Sequence, residues 1–368
     1  MKTLEDASTV ERMLMDNASK KGIPINGSLE LLPLCNMNCD MCYVRLSKEE
    51  MEKKGRIRSA KEWLEIGKQM QEAGVLFLLL TGGEPLLHPE FKEIFIGLKK
   101  MGMILTINTN GTLIDEKWAS FFKEYQPRRI NMTLYGSDSD TYEKLCHYRQ
   151  GYDKVIQAIQ LLKENHIDVK IGGSITKANV DEIDRLIQIG NELDVPVRCD
   201  TYMMPATRER EKPFSMQSRL DPVLAAKAHV KALKGEMDKE LFHNYVEKSL
   251  YEVEHILPDE GEHHMHCHAG KCSFTINWQG EMRPCVIMKE PAMSVFDHSF
   301  IEAWEYIKEK TSQIILSSKC NTCNKRTLCR TCAACALLET GSYQGKPEYM
   351  CQYVEEICKL LVKEKKHG

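Results

Sequence analysis

Three cysteines, Cys35, Cys39 and Cys42, stand in the stretch "LCNMNCDMCYV", separated by three residues and then by two. A closed tetrahedral zinc site takes four ligands and disulfides take cysteines in pairs, so three thiols satisfy neither. Cysteine thiolates are the usual ligands of cubane iron–sulfur clusters, and three of them would leave the fourth iron open to a small molecule. A zinc ion completed from elsewhere, or thiols without metal, fits the spacing equally well. A second stretch, "LLLTGGEPLLH" at 78–88, carries Gly82, Gly83, Glu84 and Pro85 just past an apolar run. Glycines let a backbone approach a ligand closely. Glu84 offers a carboxylate suited to an ammonium group. The alternative is an ordinary glycine turn before a helix that Pro85 opens.

Both stretches need elements to position them. From Ser28 to about Met203 strands and helices alternate. "SLELLPL" reads as a strand that runs into the cysteine loop. "SAKEWLEIGKQMQEAG" reads as a helix capped by Ser59 and ended by Gly74. "VLFLLLT" is a continuous apolar strand, as in a parallel sheet covered on both faces. A helix from about Pro89 to Met101 follows, then strand "MILTINTN", helix "DEKWASFFKEY" and strand "RINMTLY". Helices near 138–147 and 151–165, strand "DVKIGGSIT", helix "NVDEIDRLIQIGNEL" and strand "VPVRCDTYM" complete the run. Consecutive βα units wind into a barrel or a doubly wound sheet, and about six of them fall short of a full eightfold barrel. The expected fold is therefore α/β, an open partial (β/α)6 TIM-like barrel. Loops at the C-terminal ends of its strands form the active face, where both motifs fall.

In this order, each just past a strand, the two motifs resemble those of the radical S-adenosylmethionine (SAM) superfamily. Cys35, Cys39 and Cys42 match its Cys-x3-Cys-x2-Cys motif, and Gly82 to Pro85 match its Gly-Gly-Glu-Pro motif. The resemblance implies a partial barrel over about 28–205 and a [4Fe–4S] cluster whose open iron is chelated by SAM. One electron from the cluster would cleave SAM to a 5′-deoxyadenosyl radical, which abstracts hydrogen from a substrate. The family usually has an aromatic residue before the third cysteine; here Met41 stands there, and a thioether can also pack on an adenine ring. Asn110, within "TNG", and Ser174 fall at strand ends where the family contacts the sugar or amino acid of SAM; plain turn and capping roles fit them equally well.

The later cysteines form a second pattern. Cys267, Cys272 and Cys285, with Gly280 before the last, are followed by Cys320, Cys323, Cys329, Cys332, Cys335 and Cys351. One or two zinc sites would also suit such pairs. After the N-terminal motifs, the pattern resembles the SPASM extension of peptide- and protein-modifying radical SAM enzymes, which holds two auxiliary [4Fe–4S] clusters. By position, Cys267, Cys272 and Cys285 would serve the first, and Cys320, Cys323, Cys329 and Cys351 the second. The ligand expected to complete the first falls at Ala333, one residue from Cys332 and two from Cys335. Cys146, Cys199, Cys358 and one of Cys332 and Cys335 are left over. The histidines of "EHHMHCH", His263, His264, His266 and His268, offer a further ligand or, as the plainer reading, form a polar loop that leads into this region.

The composition fits this picture. The chain has 368 residues, 42% of them hydrophobic, and a net charge of −3, so no broad basic surface points to nucleic acid. No apolar run approaches a membrane span, and "MKTLEDASTV" has no signal-peptide core. A cytoplasmic protein is expected, in which fifteen cysteines are metal ligands or reactive thiols rather than disulfides. Four parts follow: an extension over 1–27, the barrel over 28–205, a linker and helical segment over 206–262, and the cysteine-rich domain over 263–368 with a closing helix near 349–364. The 15-residue charged and turn-rich stretch 206–220 reads as a linker or lid.

The resemblance implies a peptide or protein substrate, a reducing partner such as a flavodoxin or ferredoxin, and crosslinking, thioether formation or epimerisation as the reaction. The extension is shorter than a peptide-recognition domain, so a leader is expected to bind the barrel, the 206–257 segment or a separate protein. A sulfatase-maturase-like, formylglycine-forming enzyme is the alternative, but that family has an aspartate base where Val286 follows Cys285. A non-catalytic iron–sulfur carrier or a zinc-bearing scaffold is the other alternative. Cys199, toward the end of "VPVRCDTYM", is a candidate hydrogen-atom donor if its strand face points inward; otherwise it is a buried core thiol.

Overall fold

In the computed structural model, which describes residues 9–257, 264–329 and 332–367, the alternation becomes one sheet with helices along it. Strands β1 (Asn26–Glu30), β2 (Phe77–Thr81), β3 (Ile104–Thr109), β4 (Arg129–Thr133), β5 (Val169–Ser174) and β6 (Val197–Asp200) lie side by side in chain order, all parallel. A doubly wound sheet reverses its order at a switch point. None occurs between β1 and β6, so the partial barrel is the form adopted.

Helix α1 (Thr9–Lys21) precedes β1, and α2 (Lys48–Lys54) and α3 (Ala60–Glu72) follow the cysteine loop. Helices α4 (Phe91–Lys100), α5 (Glu116–Glu124), α6 (Ser139–Cys146), α7 (Gly151–Glu164) and α8 (Ile183–Glu192) connect the later strands. Their starts are set locally: Ser59 and Glu62 form a capping box on α3, and Asp115 and Asp138 cap α5 and α6. Along the strands, buried Leu105 and Ile107, Ile130 and Met132, and Val169 and Ile171 alternate with Asn108, Asn131, Thr133 and Ser174. The apolar set joins Phe95, Phe122, Ile159 and Leu162 of the helices in the main core. The other face of the strands carries the polar set, and Asn131 Nδ2 donates to Asn108 Oδ1 at 2.8 Å across it.

Helices α9 (Pro222–Glu236) and α10 (Lys239–His255) follow the barrel. Beyond them β7 (Ser273–Ile276) pairs in parallel with β1, and β8 (Glu281–Arg283) and β9 (Met293–Ser294) add antiparallel. The sheet thus continues from the barrel into the cysteine-rich region. A glycine makes this possible: a Cβ at Gly27 would lie 2.3 Å from the ring of Phe274, its partner in the β1–β7 register. Helix α11 (Phe300–Ser312) buries Phe300, Ala303, Trp304 and Ile307; α12 (Ser318–Asn321), α13 (Ala333–Thr340) and the closing α14 (Glu348–His367) complete the chain.

Five helices depart from the sequence reading. Helix α1 forms in the residues read as an extension, and α2 in the charged stretch after the cysteine loop. Helices α11, α12 and α13 form in the cysteine-rich region, where only a closing helix was expected, and a Ser299–Glu302 capping box starts α11. His263 lies outside the described residues. Among the described residues no helix is long and apolar enough to cross a membrane.

Candidate active site

A cavity of about 480 Å³ opens at the C-terminal ends of the barrel strands. Cys35, Cys39 and Cys42 line it with Met41, Gly82, Gly83, Asn110 and Ser174. The two motifs, 40 residues apart from Cys42 to Gly82, meet because β1 and β2 are neighbours.

The cysteine loop is held from two sides. Asn36 Nδ2 donates to Thr112 Oγ1 at 2.8 Å, and Asn110 Nδ2 donates to Asn36 Oδ1 at 2.9 Å and lies 3.6 Å from Cys35 Sγ. Opposite, Asn38 N donates to Cys146 O and Asp40 N to Leu145 O, both at 3.0 Å, so the end of α6 clasps the loop around Cys39. Burial pushes the Cys35 thiol up to about 12 and raises Cys42 as well. Cys39 moves the other way, chiefly because the Cys146 thiol hydrogen-bonds to it, with help from Tyr135 and the Arg210 guanidinium. Burial keeps Cys35 and Cys42 from ionising, and a bound cation would stabilise their thiolates.

Gly82 and Gly83 serve the contact between the motifs. Gly82 has φ +140°, and a Cβ there would lie 2.5 Å from Leu32 O; a Cβ at Gly83 would lie 2.2 Å from Leu34 O. Gly83 N donates to Leu32 O at 2.7 Å and Glu84 N to Leu34 O at 2.9 Å. The glycine backbone is thus laid against the segment that launches the cysteine loop, with one side open to the cavity.

Glu84 corrects the sequence expectation of a carboxylate facing an ammonium group. Its side chain is fully buried and does not line the cavity. Oε1 accepts from Leu86 N at 3.0 Å and Thr109 Oγ1 at 2.8 Å, and Oε2 accepts from Asn110 N at 2.8 Å. Burial still pushes it up to about 7 against those bonds. Its work is to fix the turn that carries Asn110. Pro85 is likewise buried and opens a short turn, Pro85–Leu87, behind the cavity wall.

Cys199 is a second correction. Its Sγ lies over Gly173, 3.3 Å from where a Cβ would stand, and Gly173 alternates with the cavity-lining Ser174. The thiol therefore faces away from the candidate active site, toward a separate cavity of about 580 Å³ between β6, α9 and α14. Polar Asp200 takes the position on the active cavity. Burial, then the Glu236 carboxylate, raises the Cys199 thiol.

Sequence reasoning missed several wall residues. Tyr135, at the exit of β4, lines the cavity beside Cys39, and burial raises its phenol. The 206–220 stretch crosses the site: Arg210 Nη1 donates to Asn38 Oδ1 at 3.0 Å and Cys39 O at 3.1 Å, and Lys212 Nζ donates to Asp40 O at 3.1 Å. Arg208, with φ +61°, pairs with buried Glu30 at 2.6 and 2.7 Å and donates to Val286 O at 3.2 Å. Tyr135 was legible as a strand-end aromatic; the arginines were hidden in a run that reads as a linker or lid.

The later cysteines fall into two neighbourhoods. Cys285 has the thiols of Cys332 and Cys267 as neighbours, and Cys332 is drawn down to about 6, chiefly by a hydrogen bond from Cys335. Cys335 Sγ in turn lies 3.1 Å from Tyr202 Oη and 3.2 Å from Met204 Sδ, a wall residue of the active cavity. Cys351 has Cys320 and Cys323 as neighbours, and Cys358 has Cys323. Cys329 is half-buried against the main core. Cys272 is apart from the position-based grouping with Cys267 and Cys285. It is fully buried with Ala18, Ile25 and Phe77, its neighbours are Ser19, Asp16 and Lys271, and its Sγ lies 3.5 Å from His268 Nδ1. Burial pushes it up to about 11.

A parallel βα array with three cysteines and a Gly-Gly-Glu-Pro turn at one end defines a class of SAM-dependent radical enzymes. Residues 29–203 belong to the radical SAM superfamily, whose profile they match. The AdoMet-dependent heme synthase of Methanosarcina barkeri is 22% identical over 88% of this chain and 95% of its own length. The antilisterial bacteriocin subtilosin biosynthesis protein AlbA of Bacillus subtilis is 23% identical over 92% of this chain and 74% of its own. In fold, SuiB of Streptococcus suis bound to S-adenosylmethionine matches 95% of this chain and 84% of its own, at TM-score 0.66 and 18% identity. The anSMEcpe structure with bound AdoMet matches 94% of this chain and 100% of its own, at TM-score 0.67 and 19% identity.

Proposed function

We propose that this enzyme cleaves SAM reductively and abstracts hydrogen from a peptide or protein substrate, as a maturase of ribosomally made peptides. The observation that carries it is the single cavity that gathers Cys35, Cys39, Cys42, Gly82, Gly83, Asn110 and Ser174. The subtilosin biosynthesis protein among its relatives supports the peptide class. The residues fit the expected group: three thiols from one loop meet an open backbone turn, and burial disfavours thiolates that lack a cationic partner. Cys35, Cys39 and Cys42 would hold three irons of a [4Fe–4S] cluster. When bound, cluster and SAM supply one-electron reduction and hydrogen-atom abstraction.

The protein's part is to hold and enclose. Gly82 and Gly83 keep the wall thin beside the cysteines. Met41 offers a thioether to a flat ring. Arg210 and Lys212 tie the 206–220 strap across the cysteine loop and limit water around it. Thr133, Asn108 and Asp200 line the inner wall with groups that suit peptide amides. Cys267, Cys285 and Cys332, with Cys335 beside them, are the proposed first auxiliary site; Cys320, Cys323, Cys329 and Cys351 are the proposed second. A flavodoxin or ferredoxin is the proposed electron donor, and a separate leader-binding protein a proposed partner. Val286 accepts Arg208 through its carbonyl and has no side chain that can take a proton, which argues against formylglycine formation.

A second reading has one specific support, the haem synthase matched over 95% of its own length: the substrate would be a tetrapyrrole. One experiment separates them. The anaerobically reconstituted enzyme is given SAM and a reductant, with the precursor peptides encoded beside its gene in one arm and a porphyrin panel in another. 5′-Deoxyadenosine formation with a mass change on a peptide is expected. Porphyrin turnover with unchanged peptides would transfer the assignment to the second reading, and no 5′-deoxyadenosine from fully loaded enzyme would overturn both.

A further inference from the structure

Cys146 has no place in either cysteine motif, yet the fold brings it to the cysteine loop. It ends α6, is wholly buried, and its carbonyl accepts from Asn38 N at 3.0 Å while the carbonyl before it accepts from Asp40 N at 3.0 Å. These two bonds flank Cys39 and hold its backbone against α6. A third contact, His147 Nε2 to Asp40 Oδ1 at 2.9 Å, fastens the same corner. That places the thiol of Cys146 beside Cys39. Two bonds to the loop backbone and one to the Asp40 carboxylate fix this partner from outside the motif.

We infer that Cys146 is a positioning residue for the SAM-site cluster: its S–H donates to the Cys39 sulfur, fixing that ligand and raising the cluster's reduction potential. A hydrogen bond to a cluster sulfur offsets negative charge, and the reduced cluster carries more of it, so the bond favours reduction. Thiols are weak donors, but a buried one has no water to compete with it. The inference rests on the reading of Cys39 as an iron ligand.

The test uses the full-length, anaerobically reconstituted enzyme. Potentiometric titration follows the reduced-cluster EPR signal that shifts when SAM is added, which separates this cluster from the others. Cys146→Ala and Cys146→Val donate nothing and are expected to move its midpoint to more negative potential at wild-type iron content. Cys146→Ser keeps a donor and is expected to stay at or above the wild-type value. An unmoved midpoint in both apolar variants would overturn the inference. Should both fail to take up iron, Cys146→Ser decides: loading restored by the hydroxyl supports the donor role, and failure of all three shows that only packing matters. Cys39→Ala is the control for the underlying reading. If it keeps the SAM-responsive signal, the ligand assignment itself fails; if it loses the signal while the Cys146 midpoints stay put, only this inference falls.

Discussion

A carboxylate without solvent contact must be held by donors, and Glu84 has three, from Leu86, Thr109 and Asn110. Glu84→Gln would turn an NH₂ group toward the Asn110 N–H if the other oxygen keeps its partners. The expected cost is about 1–3 kcal/mol, the penalty for an unsatisfied buried polar group, read as a fall in unfolding free energy and in cluster loading before any loss of SAM affinity in the loaded fraction. Normal loading with weakened SAM binding would restore the ammonium role. The acid–base consequence has a definite sign. Burial pushes both Glu84 and Glu236 up to about 7. Their folded values exceed those of the unfolded chain, so their contribution is fully present below about pH 4, the unfolded carboxylate range, and is lost as pH rises through about 7. Denaturation of the cluster-free protein should therefore show falling stability from these groups between pH 5 and 8, with a shallower slope in Glu84→Gln. Cys199→Ala, on the outer face, should leave the product unchanged.

The element that does most for the site is the strap over 206–220. Arg208 ties it to Glu30 at the end of β1 and, through Val286 O, to the loop of Cys285, joining barrel and cysteine-rich region at one ion pair. Both side chains are almost wholly buried, at 1% and 0% exposure, so losing one strands a charge in the interior. Arg208→Met is expected to cost about 3–5 kcal/mol, whereas adding Glu30→Gln should recover much of it. A double-mutant cycle by chemical denaturation reads this, and additive costs would show that the two do not act as a pair. None of this was visible in "TREREKP", because a run of charges normally faces water and only the fold shows that Glu30 waits beneath one of them. The barrel strands were legible, since apolar runs and alternation carry their own signature. Helix α11 was legible too, through Ser299, Glu302 and the spacing of Phe300, Ala303, Trp304 and Ile307; the density of cysteines around it drew attention to loops.

At the scale of the molecule, the pairing of β1 with β7 sets which cysteines can act together. Sequence spacing put Cys272 with Cys267 and Cys285, because a motif counts residues along the chain. The fold starts β7 one residue after Cys272, and β7 runs beside β1, so Cys272 falls at the strand's entry. There it packs against α1 with Ala18, Ile25 and Phe77. Cys285 lies beyond β8, where Cys332 and Cys267 are its neighbours. The helix that receives Cys272 lies in residues with no motif at all, which is why spacing could not exclude it. The fully loaded enzyme should carry about twelve irons, from three cubane clusters. Cys285→Ala and Cys332→Ala should each lower that by about four and leave the SAM-responsive EPR signal intact. Cys272→Ala should keep the full iron content and lose only packing against α1, a cost of about 1 kcal/mol in unfolding free energy. Iron analysis and EPR after anaerobic reconstitution decide the matter. A loss of about four irons in Cys272→Ala, with Cys332→Ala fully loaded, would return Cys272 to the first auxiliary site and require the entry of β7 to rearrange when iron binds.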